Sequence, residues 1–158
     1  MHNSVKKHIE QTPQEKANKP VRLYNPGGLD FTKEHRINSI EATDTYTRID
    51  FIYRSSMIYV NGGWIQMDAG CYIQPANSST KFGLIKAIGI PIAPEKYYFN
   101  RRGEFHTYTL IFPALPKNTT QIDIIEKEAP GTFFNFYGVD YSKWMTVAHP
   151  IELPTSKN

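Results

Sequence analysis

From residue 36 onward, the chain consists of short β-branched and aromatic runs separated by turn residues, chiefly Gly, Pro and Asn. The longest unbroken apolar run is Met57–Val60, and no segment in this part repeats apolar residues at spacings of three and four. A long amphipathic helix requires that spacing, so none is expected. Short strands separated by turn residues are typical of an all-β domain.

Alternation within the runs indicates antiparallel strands with one buried face. In Thr45–Arg54, the residues Thr47, Ile49, Phe51 and Tyr53 share one face of an extended chain, as a half-buried strand requires. About eight to ten such runs favour an antiparallel β-sandwich of the immunoglobulin-like kind, with a partly open barrel as the alternative. The predicted strands are Arg36–Ala42, Thr45–Arg54, Met57–Val60, Trp64–Met67, Cys71–Gln74, Phe82–Ile88, Tyr97–Phe99, Thr107–Phe112, Gln121–Glu126 and Phe133–Val139.

Asn61-Gly62 separates the third and fourth of these runs. Both residue types tolerate the positive φ of a type I′ turn, so the dipeptide predicts a two-residue hairpin between Met57–Val60 and Trp64–Met67.

The chain divides by charge and composition. Residues 1–36 hold seven Lys/Arg against four Asp/Glu, whereas the rest of the chain holds 11 of each. The first part is also poor in apolar residues, which predicts a largely irregular N-terminal segment. A single sandwich domain is expected over residues 37–153, followed by a tail at 154–158. Because the body carries no basic excess, nucleic-acid binding is not expected.

Membrane-spanning, export and redox signals are all weak. No apolar run approaches the roughly 20 residues of a spanning helix, and residues 1–20 lack the apolar stretch of an export signal. The chain is therefore expected either to stay inside the cell or to be a mature form whose signal was removed. Cys71 is the only cysteine. It shares a strand face with Ile73 and is expected to be a buried apolar residue.

No local motif predicts a catalytic, metal or cofactor site. The five histidines form no His-x-His or His-x-x-x-His pair, and neither a Gly-x-Ser-x-Gly elbow nor a phosphate-binding glycine loop is present. Asp123 and Glu126 are an odd number of residues apart, so on a strand they point to opposite faces. An enzyme would need residues distant in sequence, such as Asp68, Glu104 and His106, to meet in one pocket.

Aromatic residues are the one enriched class of side chain. A flat ring suits the C–H face of a sugar, although a sandwich also buries many rings in its core. The rings predicted to bind a ligand are Trp64, Tyr72, Tyr97, Tyr98 and Trp144.

Six segments follow one another in an order that resembles a known domain: Gly63-Trp64-Ile65-Gln66, Cys71-Tyr72-Ile73-Gln74, Gly89-Ile90-Pro91, Leu110–Lys117, Ile122–Glu126 and Phe134–Val139. Together they are similar to the β-sandwich domain of exported and lipid-anchored envelope proteins of Gram-negative gut anaerobes, often found ahead of a thioredoxin-like domain. The similarity extends over about residues 44–141. It implies a periplasmic or outer-surface location and an accessory or binding role.

The resemblance does not imply redox activity, because the thioredoxin-like domain and its Cys-x-x-Cys pair are not in this sequence. In Phe112–Lys117, Pro113 and Pro116 lack N–H groups, which suits a chain leaving one sheet for the other. Asp123 or Glu126 is expected to accept N–H groups of that crossover.

These observations rank three functions. The first is a non-catalytic exported module that contacts a protein partner or another domain. The alternative is a carbohydrate-binding module that uses exposed aromatic rings. An enzyme with a site assembled from distant residues ranks third.

Overall fold

The computed structural model describes residues 22–24 and 34–141, which form strands, turns and loops with no helix. All pairings between the strands are antiparallel, which confirms the predicted fold class. The strands are β1 (Arg22–Tyr24), β2 (Glu34–Ala42), β3 (Tyr46–Arg54), β4 (Trp64–Ile65), β5 (Tyr72–Pro75), β6 (Phe82–Gly83), β7 (Lys86–Ile88), β8 (Tyr97–Tyr98), β9 (Phe105–Pro113), β10 (Gln121–Ile125) and β11 (Asn135–Asp140).

The strands form three sheets. A five-stranded sheet has the order β1-β11-β10-β5-β6, a four-stranded sheet has the order β2-β3-β9-β7, and β4 pairs with β8 in a small third sheet. The two larger sheets share one core, as a sandwich requires. The immunoglobulin-like subtype stays a prediction.

Strand β3 joins the four-stranded sheet to that core. Its residues Thr47, Ile49, Phe51 and Tyr53 are buried, and the residues between them are exposed or half-buried. The ring of Phe51 stacks on Tyr108 of its own sheet, with centroids 4.9 Å apart, and its centroid lies 5.7 Å from that of Phe136 in the other sheet. The predicted alternation along this strand is therefore confirmed.

Within residues 34–141, the chain passes directly from one large sheet to the other at two places. Strand β9 ends at Pro113 in the four-stranded sheet and β10 begins at Gln121 in the five-stranded sheet, so the predicted crossover at Phe112–Lys117 is confirmed. The run Phe82–Ile88 was predicted as one strand, but it divides into β6 and β7, which lie in different sheets.

The predicted strand and hairpin around Asn61 are wrong. Met57–Val60 forms bends and a turn, and no residue other than glycine has a positive φ among the described residues. The side-chain oxygen of Ser56 accepts the N–H groups of Ile58 and Tyr59, at 3.0 and 3.3 Å. These local bonds compete with strand pairing, so a run of high β propensity becomes a loop.

Strands also begin earlier than predicted. Strand β1 lies inside the segment predicted as irregular and pairs with β11, and β2 begins at Glu34. The rest of that segment (1–21 and 25–33) and residues 142–158, with the predicted tail, lie outside the described residues. In the described part of the chain, no helix has the length and apolar character needed to cross a bilayer.

Candidate binding site

A groove of about 750 Å³ opens beside strand β4. The aromatic rings of Tyr59, Trp64 and Phe133 line it together with the polar side chains of Gln66 and Glu126. The side-chain oxygen Oε1 of Gln66 is buried and has no hydrogen-bond partner among the described residues. The other lining residues are Tyr53, Gly62, Gly63, Ile65, Gly131, Thr132 and Phe134.

Next to the groove, four consecutive apolar side chains are exposed to solvent. We call Met57–Val60 the apolar tip; its residues are 45%, 57%, 55% and 75% exposed in chain order. Tyr59 belongs both to the tip and to the groove wall, so the two features share a boundary.

Ser55 fixes the base of the apolar tip. Its N–H donates to the Glu104 carbonyl (2.9 Å), and its hydroxyl oxygen accepts the Glu104 N–H (2.8 Å). The same hydroxyl donates to the carbonyl of Arg101 at 3.1 Å. Ser55 is fully buried, so water does not compete for these bonds, and the tip is tied to the turn that precedes β9.

Gly62 closes the tip on its other side. Its N–H donates to the Tyr59 carbonyl at 3.0 Å, and its carbonyl accepts the Ser56 N–H at 3.3 Å. The residue has a φ of +88°, and a Cβ there would lie 2.5 Å from the Arg101 carbonyl oxygen and 2.6 Å from the Ser55 hydroxyl oxygen. Only glycine fits this position.

Glu126 joins two loops at the groove. It follows β10, is 4% exposed, and its two carboxylate oxygens accept the N–H of Asp68 at 2.9 Å and that of Phe134 at 2.8 Å. The buried Asn135 holds the chain at this point, because its side-chain oxygen accepts the N–H groups of Glu126 and Lys127 at 2.8 and 3.3 Å.

Burial raises the pKa of Glu126 from its ordinary 4.5 to about 7, although the backbone N–H groups of Phe134 and Asp68 oppose the shift. Loss of hydration outweighs two hydrogen bonds to the charged form. The carboxyl group therefore changes its charge near neutral pH.

The prediction that Asp123 or Glu126 accepts N–H groups of the crossover is wrong, because both carboxylates accept N–H groups of other segments. Asp123 accepts the N–H of Gly138 in β11 at 2.9 Å, and Glu126 accepts the N–H groups of Asp68 in the β4–β5 loop and of Phe134 in its own β10–β11 loop. Both carboxylates are buried. The backbone N–H groups beside them lie at the bulge in the β10–β11 pairing and in the adjoining loops, where they make no hydrogen bond between strands.

The structure brings together two of the five predicted ligand-binding rings. Trp64 and Tyr98 are direct partners in the β4–β8 pair and are 45% and 65% exposed. Tyr97 is half-buried and stacks on a histidine ring with centroids 4.3 Å apart. Tyr72 is buried in the five-stranded sheet, and burial raises the pKa of its hydroxyl. Trp144 lies outside the described residues.

The residues named for a distant-residue enzyme each bond to a different neighbour. The Nε2 atom of His106 lies 2.6 Å from the Gly89 carbonyl, and Glu104 accepts the N–H of Asn100 at 3.1 Å. Asp68 accepts the N–H of Gly70 at 2.8 Å within its own turn. Within residues 22–24 and 34–141, no group of three His, Cys, Asp or Glu side chains is arranged to hold a metal ion.

Sequence reasoning did not predict Tyr59, Gln66, Glu126 and Phe133 as groove residues. They come from three separate segments and form no motif. The one local signal was Gly62-Gly63 after an apolar run, because two glycines in succession mark a close approach of the backbone to another segment.

No protein-family model, curated protein or solved structure significantly matches this chain.

Replacement of Gly62 tests the closure of the tip. We expect Gly62→Ala to lower the free energy of unfolding by about 3 kcal/mol, because it combines a positive φ with contacts to two fixed oxygens. Gly83→Ala is the matched control, since a Cβ at Gly83 has no neighbour within 4 Å, and it should change stability by less than about 0.5 kcal/mol. Urea unfolding measures both, and equal effects would contradict this account of Gly62.

The raised pKa of Glu126 predicts how stability depends on pH. The folded protein holds this proton up to about pH 7, whereas the unfolded chain releases it near 4.5, so this group stabilises the fold at low pH. The stabilisation, about 3 kcal/mol, is lost as pH rises from about 4.5 to about 7, where only the folded protein still holds the proton. We expect Glu126→Gln to remove this fall, measured by urea unfolding between pH 4 and pH 8. Parallel curves for wild type and variant would contradict the assignment.

Proposed function

We propose that the domain is a non-catalytic binding module whose groove holds a carbohydrate. The observation that carries the proposal is the grouping of Trp64, Tyr59 and Phe133 around one groove that also contains Gln66. Its volume of about 750 Å³ is within the range of roughly 300–1,000 Å³ that is usual for small-ligand sites.

The chemistry of the groove suits a sugar better than a charged or wholly apolar ligand. Aromatic faces pack against the C–H surface of a pyranose. Gln66 lines the groove, and an amide side chain has both an acceptor oxygen and two donor hydrogens for the hydroxyl groups of a sugar. Both oxygens of Glu126 accept backbone N–H groups, so this carboxyl group holds in place the two loops that shape the groove.

An envelope location belongs to the same proposal. Its support is the sequence resemblance to exported envelope proteins, and a module in that compartment would meet polysaccharide directly. Accessory binding, without a catalytic residue of its own, is the role that fits the described side chains.

Removal of the exposed indole ring tests the proposal. Oligosaccharides of glucose, galactose and N-acetylglucosamine are titrated against the full chain by calorimetry. We expect at least one to bind and Trp64→Ala to weaken its binding by at least about tenfold, because a stacked ring contributes more than about 1 kcal/mol.

The matched control is Phe105→Ala, because Phe105 is 59% exposed but is not a groove residue. It should bind like wild type. Failure of all three sugar series to bind at about 10 mM, the affinity limit of a weak module, would overturn the proposal.

A second candidate function is contact with a protein partner or another domain, at the edge of the four-stranded sheet. Strand β7 is the last strand of that sheet in the described part of the chain. Ile85 and Ile88, at and beside this strand, are 62% and 48% exposed. An edge strand offers unpaired backbone groups to a partner strand, and neighbouring apolar side chains add contact area.

The test of this second function is the Ile85→Asp/Ile88→Asp double variant. Chemical crosslinking in an extract of the source cells should capture a partner with wild type, and the variant should capture it at least about tenfold less, since two charges would enter the interface. Equal capture by both proteins would contradict a contact at β7.

A further inference from the structure

The apolar tip is a different surface from the sugar-binding groove, and its composition is unusual for a loop. Val60 at 75% and Ile58 at 57% are among the most exposed apolar side chains of the described residues. Exposed apolar patches of this kind mark binding to a membrane, a protein or a ligand.

Two arginines adjoin the tip, and a lysine lies beside the indole ring of the groove. Arg102 donates its Nε–H to the Tyr59 carbonyl at 3.3 Å, so its guanidinium group lies against the tip. Arg101 is exposed in the same turn and is tied to Ser55 through its carbonyl. On the neighbouring sheet, the Nζ atom of Lys96 lies 4.7 Å from the centre of the Trp64 ring.

Two acidic side chains occur on these loops, and they do not cancel the three cations. Glu104 is half-buried, and its carboxylate accepts the N–H of Asn100 at 3.1 Å. Its negative charge therefore faces the turn that contains both residues. Glu95 is exposed beside Lys96 in the chain. On these two loops, three cations against two acids leave a net charge of +1.

We propose that the apolar tip docks on an anionic lipid surface, with Ile58 and Val60 entering the bilayer interface and Arg101 and Arg102 meeting the headgroups. This proposal does not depend on the carbohydrate proposal.

The geometry favours a lipid surface over a protein partner. The four consecutive side chains of the tip lie in a bend and a turn, and all four are at least 45% exposed. A flat protein surface covers one side of such a loop, whereas lipid surrounds it on every side. Apolar residues at the end, aromatic rings nearby and basic residues around them are the composition of a segment that binds at a membrane interface.

The hydrogen bonds of Ser55 and Gly62 hold the tip in shape before it binds. Ser55 bonds to backbone groups of Glu104 and Arg101 in a neighbouring turn, and Gly62 bonds to backbone groups of Ser56 and Tyr59 within the loop itself. Docking therefore requires little ordering of the loop, and less affinity is lost to conformational entropy.

Co-sedimentation of the full chain with vesicles tests the proposal. We expect binding to phosphatidylcholine vesicles that contain about 30% phosphatidylglycerol, and at least about tenfold weaker binding to pure phosphatidylcholine. Raising the salt from about 50 to 500 mM should also weaken binding, because salt screens the attraction between Arg and headgroup.

Two variants locate the contact. Ile58→Asp/Val60→Asp should lower vesicle binding at least about tenfold, and Arg101→Gln/Arg102→Gln should lower binding to anionic vesicles only. The Ile85→Asp/Ile88→Asp variant is the matched control, with the same two charges at another exposed apolar pair, and it should sediment like wild type. Absence of sedimentation with anionic vesicles, or equal losses in the tip and control variants, would overturn the proposal.

A fluorescent label tests the tip without adding charge. Cys71 is 1% exposed, so a polarity-sensitive dye reacts with a cysteine introduced at the surface. Anionic vesicles should shift the dye emission to the blue for Val60→Cys and leave it unchanged for Ile88→Cys. No shift at Val60→Cys would contradict insertion.

If the tip instead crosslinks to a protein of the cell extract while vesicles leave the dye unchanged, the surface is a protein-binding one and the lipid proposal is wrong.

Discussion

The exchange of hydrogen bonds between Ser55 and the chain at Glu104 and Arg101 is the constraint on which both candidate surfaces depend. A fully buried hydroxyl group there serves two backbone groups of another loop, at 2.8 and 3.1 Å. Such a bond exchanges little with water and so fixes one geometry. It places Tyr59 in the groove wall and leaves the rest of the apolar tip exposed. Without it, the groove would lose one side and the tip would lose its shape.

Glu126 has the corresponding role on the opposite side of the groove, at a cost in free energy. The carboxylate satisfies two backbone N–H groups from different loops, but burial makes its charged form unfavourable near neutral pH. Asn135 supports the same turn with a neutral side chain. The groove is thus held by polar side chains that bond to backbone, and aromatic rings form part of its lining.

The fold was predictable from sequence where one residue pattern determined one structure. Alternation along Thr45–Arg54 gave strand β3, and the prolines of Phe112–Lys117 gave the crossover. The pattern failed at Met57–Val60, because a serine beside the run bonds to its backbone and that competition is not visible in β propensity. Among the groove residues, Trp64 is one of the predicted rings, whereas Gln66 and Phe133 join the groove only through tertiary packing.

The central claim is that buried hydrogen bonds hold the apolar tip in one geometry. Amide hydrogen exchange tests this claim most directly. The amides of Ser55, Gly62 and Glu104 donate to fixed acceptors. The account predicts that they exchange about as slowly as the amides of β3, because opening any of them breaks the buried bonds together. Exchange at the rate of the exposed Ser79 amide would contradict it, since the tip would then be a loop without a fixed shape.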